Sequence, residues 1–383
     1  MDKQTMRYFP NLDGNAIEGL VEQWKKAFPA MGVMALLPEA EKEAVGKLQG
    51  VFSRQGVPLV GAIFPALVAG EEFRTNGVWL LRFERMPYAA LYDELPQAGI
   101  SAAEVAERIA EGVRGELDDT PDATLFLLFD AQVPNIGTLL DELYLHLANR
   151  VHYLGANAGS ETFQPMPCLF DNDRVVGNGV LAMLLQPHRG GILEHGYGAP
   201  EEMIYATSTE GNRIVHIDWR PAFEVYRELM QKQYGVEITR DNFYNYAVHF
   251  PFGIVRANHS VLVRIPVMLG EDGSLFCVGE VPPNSLLTLL EAPSVDSTHT
   301  QEALNRGLVG LNGDIAGREL LLFYCAGRNM HLGNAAATHE LAGLVRLTGV
   351  SRLAGAKSLG EIGPSTVGGY PLFHNATLVA TCL

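Results

Sequence analysis

The chain contains 383 residues, of which 47% are hydrophobic and 19% are charged, and its formal net charge is -16. This composition is typical of a well-packed globular protein, and the length favours two domains because single cores usually stop growing at about 250 residues. The negative charge repels nucleic-acid phosphates and anionic lipids, and no cluster of Lys and Arg offsets it. We therefore expect neither nucleic acid nor a membrane as a partner.

The N-terminal stretch and the cysteines indicate a soluble, cytoplasmic protein with reduced thiols. MDKQTMRYFPNLDGN has no apolar core that would serve as a signal sequence, and no run reaches the roughly 18 apolar residues of a membrane span. The cysteines are scattered and form no CxxC pair, which argues against a disulfide framework and a zinc site. They are Cys168, Cys277, Cys325 and Cys382.

The first half of the chain predicts alternating strands and helices. Strands are expected at GVMALL, VPLVGAIF and GVWLLRF, with a helix at PEAEKEAVGKLQGVF. A further helix begins at Ser101, which can form a capping box with Glu104. Its buried stripe consists of Val105, Ile109, Val113 and Leu117. The strand ATLFLLFD, the helix TLLDELYLHLANR, the strand VHYLGANAG and two strands in CLFDNDRVVGNGVLAMLL follow.

The second half repeats this order of elements. It predicts the helix TQEALNRGLVGL, the strand RELLLFYCAGR, the helix AATHELAGLVRLTG, the strand SRLAGAKSLG and a final strand YPLFHNATLVATCL. Aligning LFLLFD with LLLFYC matches Asp130 with Cys325, and aligning LGANAGS with AGAKSLG matches Gly155 with Gly355. We therefore predict an α/β fold with two related mixed α/β halves, formed by internal duplication and packed together. Coincidence among common α/β patterns is the alternative.

A domain boundary is expected in HGYGAPEE, where Gly and Pro cluster after the last strand of the first half. This divides the chain into residues 1–198 and 199–383. Beyond the boundary, a strand is followed by a helix with Pro221 in its first turn and Phe223, Tyr226 and Met230 facing inward.

Common motifs of α/β enzymes are missing from the sequence. There is no GxxxxGK[ST], no GxGxxG between a strand and a helix, and no GxSxG nucleophile elbow. The chemistry of the chain must therefore be sought in individual side chains.

Two candidate site residues lie in FYCAGR. Cys325 ends an apolar strand, and ligand sites gather at strand ends in α/β sheets. Arg328 could lower the pKa of this thiol or bind a carboxylate with two hydrogen bonds. The alternatives are a buried small hydrophobic residue for Cys325 and a surface ion pair for Arg328.

Two more candidates lie near the end of the chain. Glu361 in GEIGP is expected on a tight turn bounded by glycines, which can aim a carboxylate at a ligand. Asn375 in FHNAT is expected at the start of a strand, where its amide can bind a polar ligand edge. Alternatively, both side chains cap backbone groups of the turn.

The 11 histidines show no HExxH, CxxCH or paired Cys/His spacing, so no metal ligand is assigned. A b-type haem needs only one axial His, which no spacing rule detects. Haem therefore stays open as a cofactor at this point.

Several short motifs are similar to those of the FIST family of intracellular signal-transduction proteins. Those resembling its C-terminal domain are GNRIVHIDWRPAFEVYREL, DGSLFCVGEVPPNS, LLLFYCAGR, SLGEIGP and LFHNATLVA, in this order. Those resembling its N-terminal domain are VPLVGAIF, LGANAGSETF, CLFDNDRVVGNGVLAMLL and EHGYG. Cys325, Arg328, Glu361 and Asn375 lie on the matching motifs and are the expected ligand-binding residues.

The resemblance implies a sensory protein that binds a small molecule, such as an amino acid or a similar metabolite. Because the sequence shows no output domain, the signal would pass to a separate histidine kinase or chemoreceptor. One alternative, implied by similar family members, is a haem-based nitric oxide sensor that regulates a histidine kinase. Another is an enzyme with Cys325 as nucleophile and His374 as base; a sensor without catalytic activity is preferred.

Overall fold

The computed structural model describes residues 4–93, 95, 101–117, 122–295, 297–364 and 368–383. Over these residues the strands form three sheets of six strands and one sheet of eight. Helices pack against the sheets, which confirms the expected mixed α/β fold. We name the three parts of the chain that build the six-stranded sheets unit 1, unit 2 and unit 3.

Unit 1 begins the chain. Its elements are β1 (Met6–Phe9), α1 (Gly14–Ala27), β2 (Gly32–Pro38), α2 (Val45–Gln55), β3 (Leu59–Phe64), β4 (Leu67–Ala69), β5 (Glu72–Arg74) and β6 (Val78–Phe83). A 3₁₀ helix over Glu39–Ala44 precedes α2. The Asp13 carboxylate caps α1 by accepting from the backbone N–H groups of Asn15 and Ala16.

Unit 2 follows with the same order of elements. They are β7 (Tyr88–Tyr92), α3 (Ala102–Glu116), β8 (Thr124–Asp130), α4 (Ile136–Leu147), β9 (His152–Ala158), β10 (Leu169–Asp171), β11 (Val175–Val176) and β12 (Val180–Leu185). A 3₁₀ helix over Ala148–Arg150 ends α4. The predicted capping box of α3 is confirmed, since Ser101 and Glu104 bond reciprocally. Leu117, predicted as the end of its stripe, is instead the C-cap residue.

Unit 3 opens with β13 (Ile192–Glu194), and the eight-stranded antiparallel sheet then interrupts it. The elements of this inserted part are β14 (Ile204–Glu210), β15 (Arg213–Ile217), β16 (Arg220–Pro221), α5 (Ala222–Tyr234), α6 (Phe243–Ala247), β17 (Phe252–Val255), β18 (Val261–Arg264), β19 (Pro266–Leu269), β20 (Leu275–Cys277) and β21 (Leu286–Leu289). Helix α5 buries Phe223, Tyr226 and Met230, as predicted, but it begins directly after Pro221, which is its N-cap residue rather than part of the first turn.

The remainder of unit 3 runs to the end of the chain. Its elements are α7 (His299–Asn312), β22 (Glu319–Cys325), α8 (Ala326–Leu332), α9 (Asn334–Thr348), β23 (Arg352–Ser358), β24 (Glu361–Pro364), β25 (Pro371–His374) and β26 (Leu378–Cys382).

The three six-stranded sheets share one topology. Their strand orders are β1-β6-β2-β3-β10-β11, β7-β12-β8-β9-β24-β25 and β13-β26-β22-β23-β4-β5. Each contains one parallel pair, and each receives its last two strands from a different unit. The hairpin of unit 1 joins unit 3, that of unit 2 joins unit 1, and that of unit 3 joins unit 2. Strands β3, β9 and β23 contact one another at the centre.

The strand register confirms the two predicted alignments. Gly155 lies opposite Leu127 in the β8–β9 pair, and Gly355 lies opposite Leu322 in the β22–β23 pair. A Cβ atom would fall 2.0 Å from the Leu127 carbonyl oxygen at Gly155 and 1.7 Å from that of Leu322 at Gly355. Gly61 in β3 has the same relation to Ala35, at 2.3 Å. The duplicated pattern therefore occurs a third time, within the first half.

The structure differs from the sequence predictions near the end of the chain. YPLFHNATLVATCL forms two strands rather than one, because Ala376 has a φ of 55° and interrupts them. Strand β25 belongs to the sheet of unit 2 and β26 to that of unit 3. GEIGP is also no tight turn, since Glu361–Pro364 is strand β24 paired with β9. The predicted domain boundary at residue 198 stays a prediction. Hairpins are exchanged across it, since β4–β5 pairs with β23 and β24–β25 pairs with β9.

Candidate functional site

The side chain of Glu361 lies fully buried where β24 leaves the end of β23. Ser358 donates its hydroxyl to one carboxylate oxygen at 2.5 Å, and Thr377 donates its hydroxyl to the other at 2.5 Å. The Cys325 thiol interacts electrostatically with this carboxylate. Charge-assisted hydrogen bonds of this kind compensate a buried carboxylate. We call Cys325, Ser358, Glu361 and Thr377 the Glu361 cluster.

Burial raises the pKa of Glu361 to about 7, although the hydrogen bonds from Ser358 and Thr377 lower it. Desolvation disfavours the charged carboxylate, whereas donors to its oxygens favour it. The protonation state of Glu361 therefore changes close to neutral pH.

The Cys325 thiol is neutral in this environment. Burial is the main cause that raises the pKa of Cys325 well above its usual range, and the carboxylate of Glu361 raises it further. Its sulfur accepts the backbone N–H of Ala376 at 3.1 Å. The suggestion that Arg328 activates the thiol by lowering its pKa is therefore wrong, because desolvation dominates at this position.

The Glu361 cluster is specific to unit 3. Strand register places Glu361 opposite Ala156, just as Leu169 lies opposite Ala62 and Leu67 opposite Ala356. Both leucines are fully buried, like Glu361. The fold thus accepts an apolar side chain at this position, and the carboxylate is an addition to it.

The hydroxyl partners of Glu361 are equally specific. Ser358 ends β23, where Ala158 ends β9 and Phe64 ends β3. Thr377 immediately precedes β26, where glycine precedes the matching strands β12 and β6. A buried carboxylate and its two hydroxyl donors thus occur together in one unit and are replaced together in the other two.

A cavity of about 220 Å³ lies beside the cluster, and we call it the Cys325 cavity. Unit 3 lines it with Cys325, Ala326, Gly327, Met330, Leu359 and Asn375. The inserted part lines it with Tyr244, Ala247, Val248, Ile265, Pro266, Val267 and Val278. Glu161, Thr162 and Phe163 of unit 2 complete the wall. Three parts of the molecule therefore meet at one cavity.

Asn375 provides a buried polar group in this wall. Its amide nitrogen donates to the carbonyl oxygen of His374 at 2.9 Å, and the side chain is 1% exposed. Its amide oxygen has no hydrogen-bond partner among the described residues. Since leaving a buried acceptor unpaired costs free energy, this oxygen is a candidate contact for a ligand.

Arg328 lies outside the cavity wall, in a buried ion pair. Its guanidinium donates to both oxygens of Glu340, at 2.9 and 2.6 Å. It also donates to the His195 carbonyl oxygen at 2.6 Å and to the Thr300 hydroxyl at 3.1 Å. These contacts connect α8 with α9 and with the segment after β13. Of the four predicted site residues, Cys325 and Asn375 line the cavity, Glu361 contacts Cys325, and Arg328 is engaged elsewhere.

Family models match nearly the whole described chain. The FIST N domain matches residues 33–220, and the FIST C domain matches residues 222–364. The chain belongs to the FIST family. FIST domains are generally sensory domains that bind small ligands in signal transduction. A search of the curated proteins finds no significant match. Among the described residues of this FIST protein, no helix has both the length and the hydrophobicity to cross a membrane.

Haem does not fit the Cys325 cavity of this FIST protein. A cavity of 150 Å³ accommodates benzene, so about 220 Å³ has room for one ring and a few further atoms rather than a macrocycle. The wall contains no histidine within the described part of the chain. In the same residues, no group of three or more His, Cys, Asp or Glu side chains is arranged to hold a metal ion.

His374 belongs to a different cavity, of about 360 Å³, which it lines with His195 and Tyr197. Neither ring nitrogen of His374 makes a hydrogen bond of normal geometry with the described residues. Burial lowers the pKa of His374 well below its usual range. The titratable side chain that interacts with the Cys325 thiol is Glu361, so the pairing of Cys325 with His374 as base has no support in the geometry.

A histidine pair connects two walls of the Cys325 cavity, and sequence reasoning missed it. His249 follows α6, His331 lies in α8, and their Nδ1 atoms are 2.9 Å apart in a hydrogen bond. Burial is the main cause that lowers the pKa of His331 to about 4, and the nearby His249 and Arg328 lower it further. Burial also lowers the pKa of His249. The two residues are 82 positions apart, so no sequence motif indicates their contact.

Proposed function

We propose that this protein is a cytoplasmic sensor that binds a small molecule in the Cys325 cavity and passes the signal to a separate protein. A histidine kinase or a chemoreceptor is the proposed partner class. The family assignment supports a sensory role, and the cavity supplies a place for the ligand. The observation that carries the proposal is the unpaired, buried amide oxygen of Asn375 in a largely apolar wall.

The position of the cavity supports a conformational output. Its wall combines α6 and β19 of the inserted part, α8 of unit 3, and the segment around Phe163 of unit 2. A ligand that contacts all three favours the arrangement in which they are closest, and thereby shifts the population of conformations. The His249–His331 hydrogen bond joins α8 to the segment after α6, and so connects two of these walls.

A small-molecule screen by thermal unfolding tests the proposal. Compounds that raise the melting temperature of the wild type are measured by calorimetry against Asn375→Leu and Ala247→Leu. Asn375→Leu removes the unpaired oxygen, and Ala247→Leu fills the cavity from α6. Each should weaken binding at least tenfold, which corresponds to a loss of about 1.4 kcal/mol of binding free energy. Asn375→Leu removes a buried hydrogen bond to the ligand, and Ala247→Leu removes the space that the ligand occupies.

Asn157→Leu is the matched control. Asn157 is also buried, and its amide oxygen is likewise unpaired with respect to the described residues, but it does not line the Cys325 cavity. Ligands that bind all three variants as they bind the wild type would contradict the proposed site. An absorption spectrum of protein expressed with a haem precursor is a second control, since a Soret band would favour a haem-based sensor instead.

A further inference from the structure

The Cys325 cavity also restricts the chemistry of its ligand, and this inference rests on the proposed function. The described wall is dominated by aliphatic side chains, including Val248, Ile265, Val267 and Val278. Apolar surface of this kind favours a ligand whose body is hydrocarbon. With about 220 Å³ against 150 Å³ for a benzene site, the ligand has about nine non-hydrogen atoms.

The orientation of the Asn375 amide decides which polar group the ligand must carry. The carbonyl oxygen of His374 only accepts hydrogen bonds, so the Asn375 atom that faces it at 2.9 Å must be the amide nitrogen. The atom without a partner is therefore the oxygen, an acceptor. A ligand satisfies it only by donating an N–H or O–H.

The charges around the cavity disfavour an anionic ligand. Glu161 is the charged residue in the described wall, and the carboxylate of Glu361 lies behind Cys325. Two cations next to wall residues are already paired. Arg328 donates to both oxygens of Glu340, and Lys357 lies 3.9 Å from Glu161. A ligand carboxylate or phosphate would enter without a counter-ion, which is costly in an apolar site.

We infer that the Cys325 cavity binds a small, mainly apolar molecule that carries a hydrogen-bond donor and no negative charge. Amines, alcohols and primary amides belong to this class. Free α-amino acids do not, because their carboxylate has no partner in the cavity.

Five probes with a common ring test this inference by calorimetry and by competition with any ligand from the screen. Benzylamine, benzyl alcohol and benzamide carry a donor, toluene carries none, and benzoate is an anion. The donor-bearing probes should bind the wild type at least tenfold more tightly than toluene, and benzoate should bind more weakly than toluene. In Asn375→Leu the preference for benzyl alcohol over toluene should disappear, while Ala247→Leu should exclude all five.

Two results would overturn the inference. Benzoate binding more tightly than benzyl alcohol would show that the cavity prefers anions. Equal affinity for toluene and benzyl alcohol in the wild type would show that the Asn375 oxygen does not select a donor. In either case, weaker binding in Ala247→Leu would leave the proposed function standing. If Ala247→Leu binds every probe and every screened ligand like the wild type, the proposed function fails as well.

Discussion

Glu361 and Leu169 occupy the same position in two equivalent hairpins. Each is the first residue of a strand that pairs with the second parallel strand of the next sheet, opposite Ala156 and Ala62 respectively. Both side chains are fully buried. Leu169 of unit 2 thus shows that the fold accepts an apolar side chain at this position, whereas unit 3 has a buried carboxylate there. The comparison provides internal controls for the candidate site.

The triple variant Ser358→Ala, Glu361→Leu, Thr377→Val should be more stable than the wild type at pH 8. It replaces the buried carboxylate and both of its hydroxyl donors together, so only the backbone N–H of Thr377 and the Cys325 thiol lose a partner. Replacing buried charged groups with packed apolar residues often stabilises proteins by about 1 to 4 kcal/mol. Unfolding by denaturant at pH 8 measures the change, and a loss of stability would show that the cluster is required by the fold.

Leu169→Glu is the reverse substitution and should be strongly destabilising. Unit 2 offers Ala158 and Gly179 where unit 3 offers the hydroxyls of Ser358 and Thr377. A carboxylate at position 169 therefore lacks donors, and an uncompensated buried charge costs about 3 to 5 kcal/mol. The same denaturant series compares both variants. Tolerance of Leu169→Glu would mean that the hydroxyl groups are not what stabilises Glu361.

The pKa of Glu361 predicts a pH dependence of stability. Its pKa is about 7 in the folded protein against 4.5 ordinarily, so between these values the folded state keeps a proton that the unfolded state has lost. The free energy of unfolding should therefore fall as the pH rises from 4.5 to 7, by about 3 kcal/mol at 1.36 kcal/mol per pH unit. Denaturant unfolding at several pH values measures this slope, which the triple variant should lack.

Arg328→Met should destabilise the protein by about 3 to 5 kcal/mol, because it leaves the carboxylate of Glu340 buried without its cation. Adding Glu340→Leu should recover most of the loss, since both charges are then removed. Thermal unfolding gives the stabilities, and calorimetry gives the ligand affinity of the double variant. If the double variant binds the ligand with wild-type affinity, Arg328 is a structural residue. A tenfold loss of affinity would instead show that Arg328 contributes to ligand binding.

The His249–His331 pair predicts a pH dependence of the opposite sign. The pKa of His331 is lowered from 6.5 to about 4, so the unfolded state binds the proton first as the pH falls. Stability should decrease from pH 6.5 towards pH 4, because in this range the unfolded state binds a proton that folded His331 does not bind. His331→Asn should reduce this acid sensitivity. His259→Asn, at an exposed histidine, is the control and should leave it unchanged.

The sequence by itself determined the local elements and two of the three repeats. The capping box at Ser101 depends on residues three apart, and the helix after Pro221 on a periodic apolar face, so neighbouring residues suffice for both predictions. The match of Gly155 with Gly355 succeeded because each glycine meets a carbonyl oxygen that tolerates no Cβ. Cys325 is a sequence candidate because it ends an apolar strand, and Asn375 because it is expected at the start of one; both line the cavity.

Only the tertiary structure decided how these residues meet. Glu361 was expected on a turn, yet it is a buried strand residue because its hairpin pairs with β9 of another unit. The role of Arg328 depends on Glu340, on a helix that local pattern cannot position. The cavity itself arises where unit 2, unit 3 and the inserted sheet pack together. Contacts between segments far apart in sequence depend on how whole helices and strands pack, so local sequence patterns do not predict them.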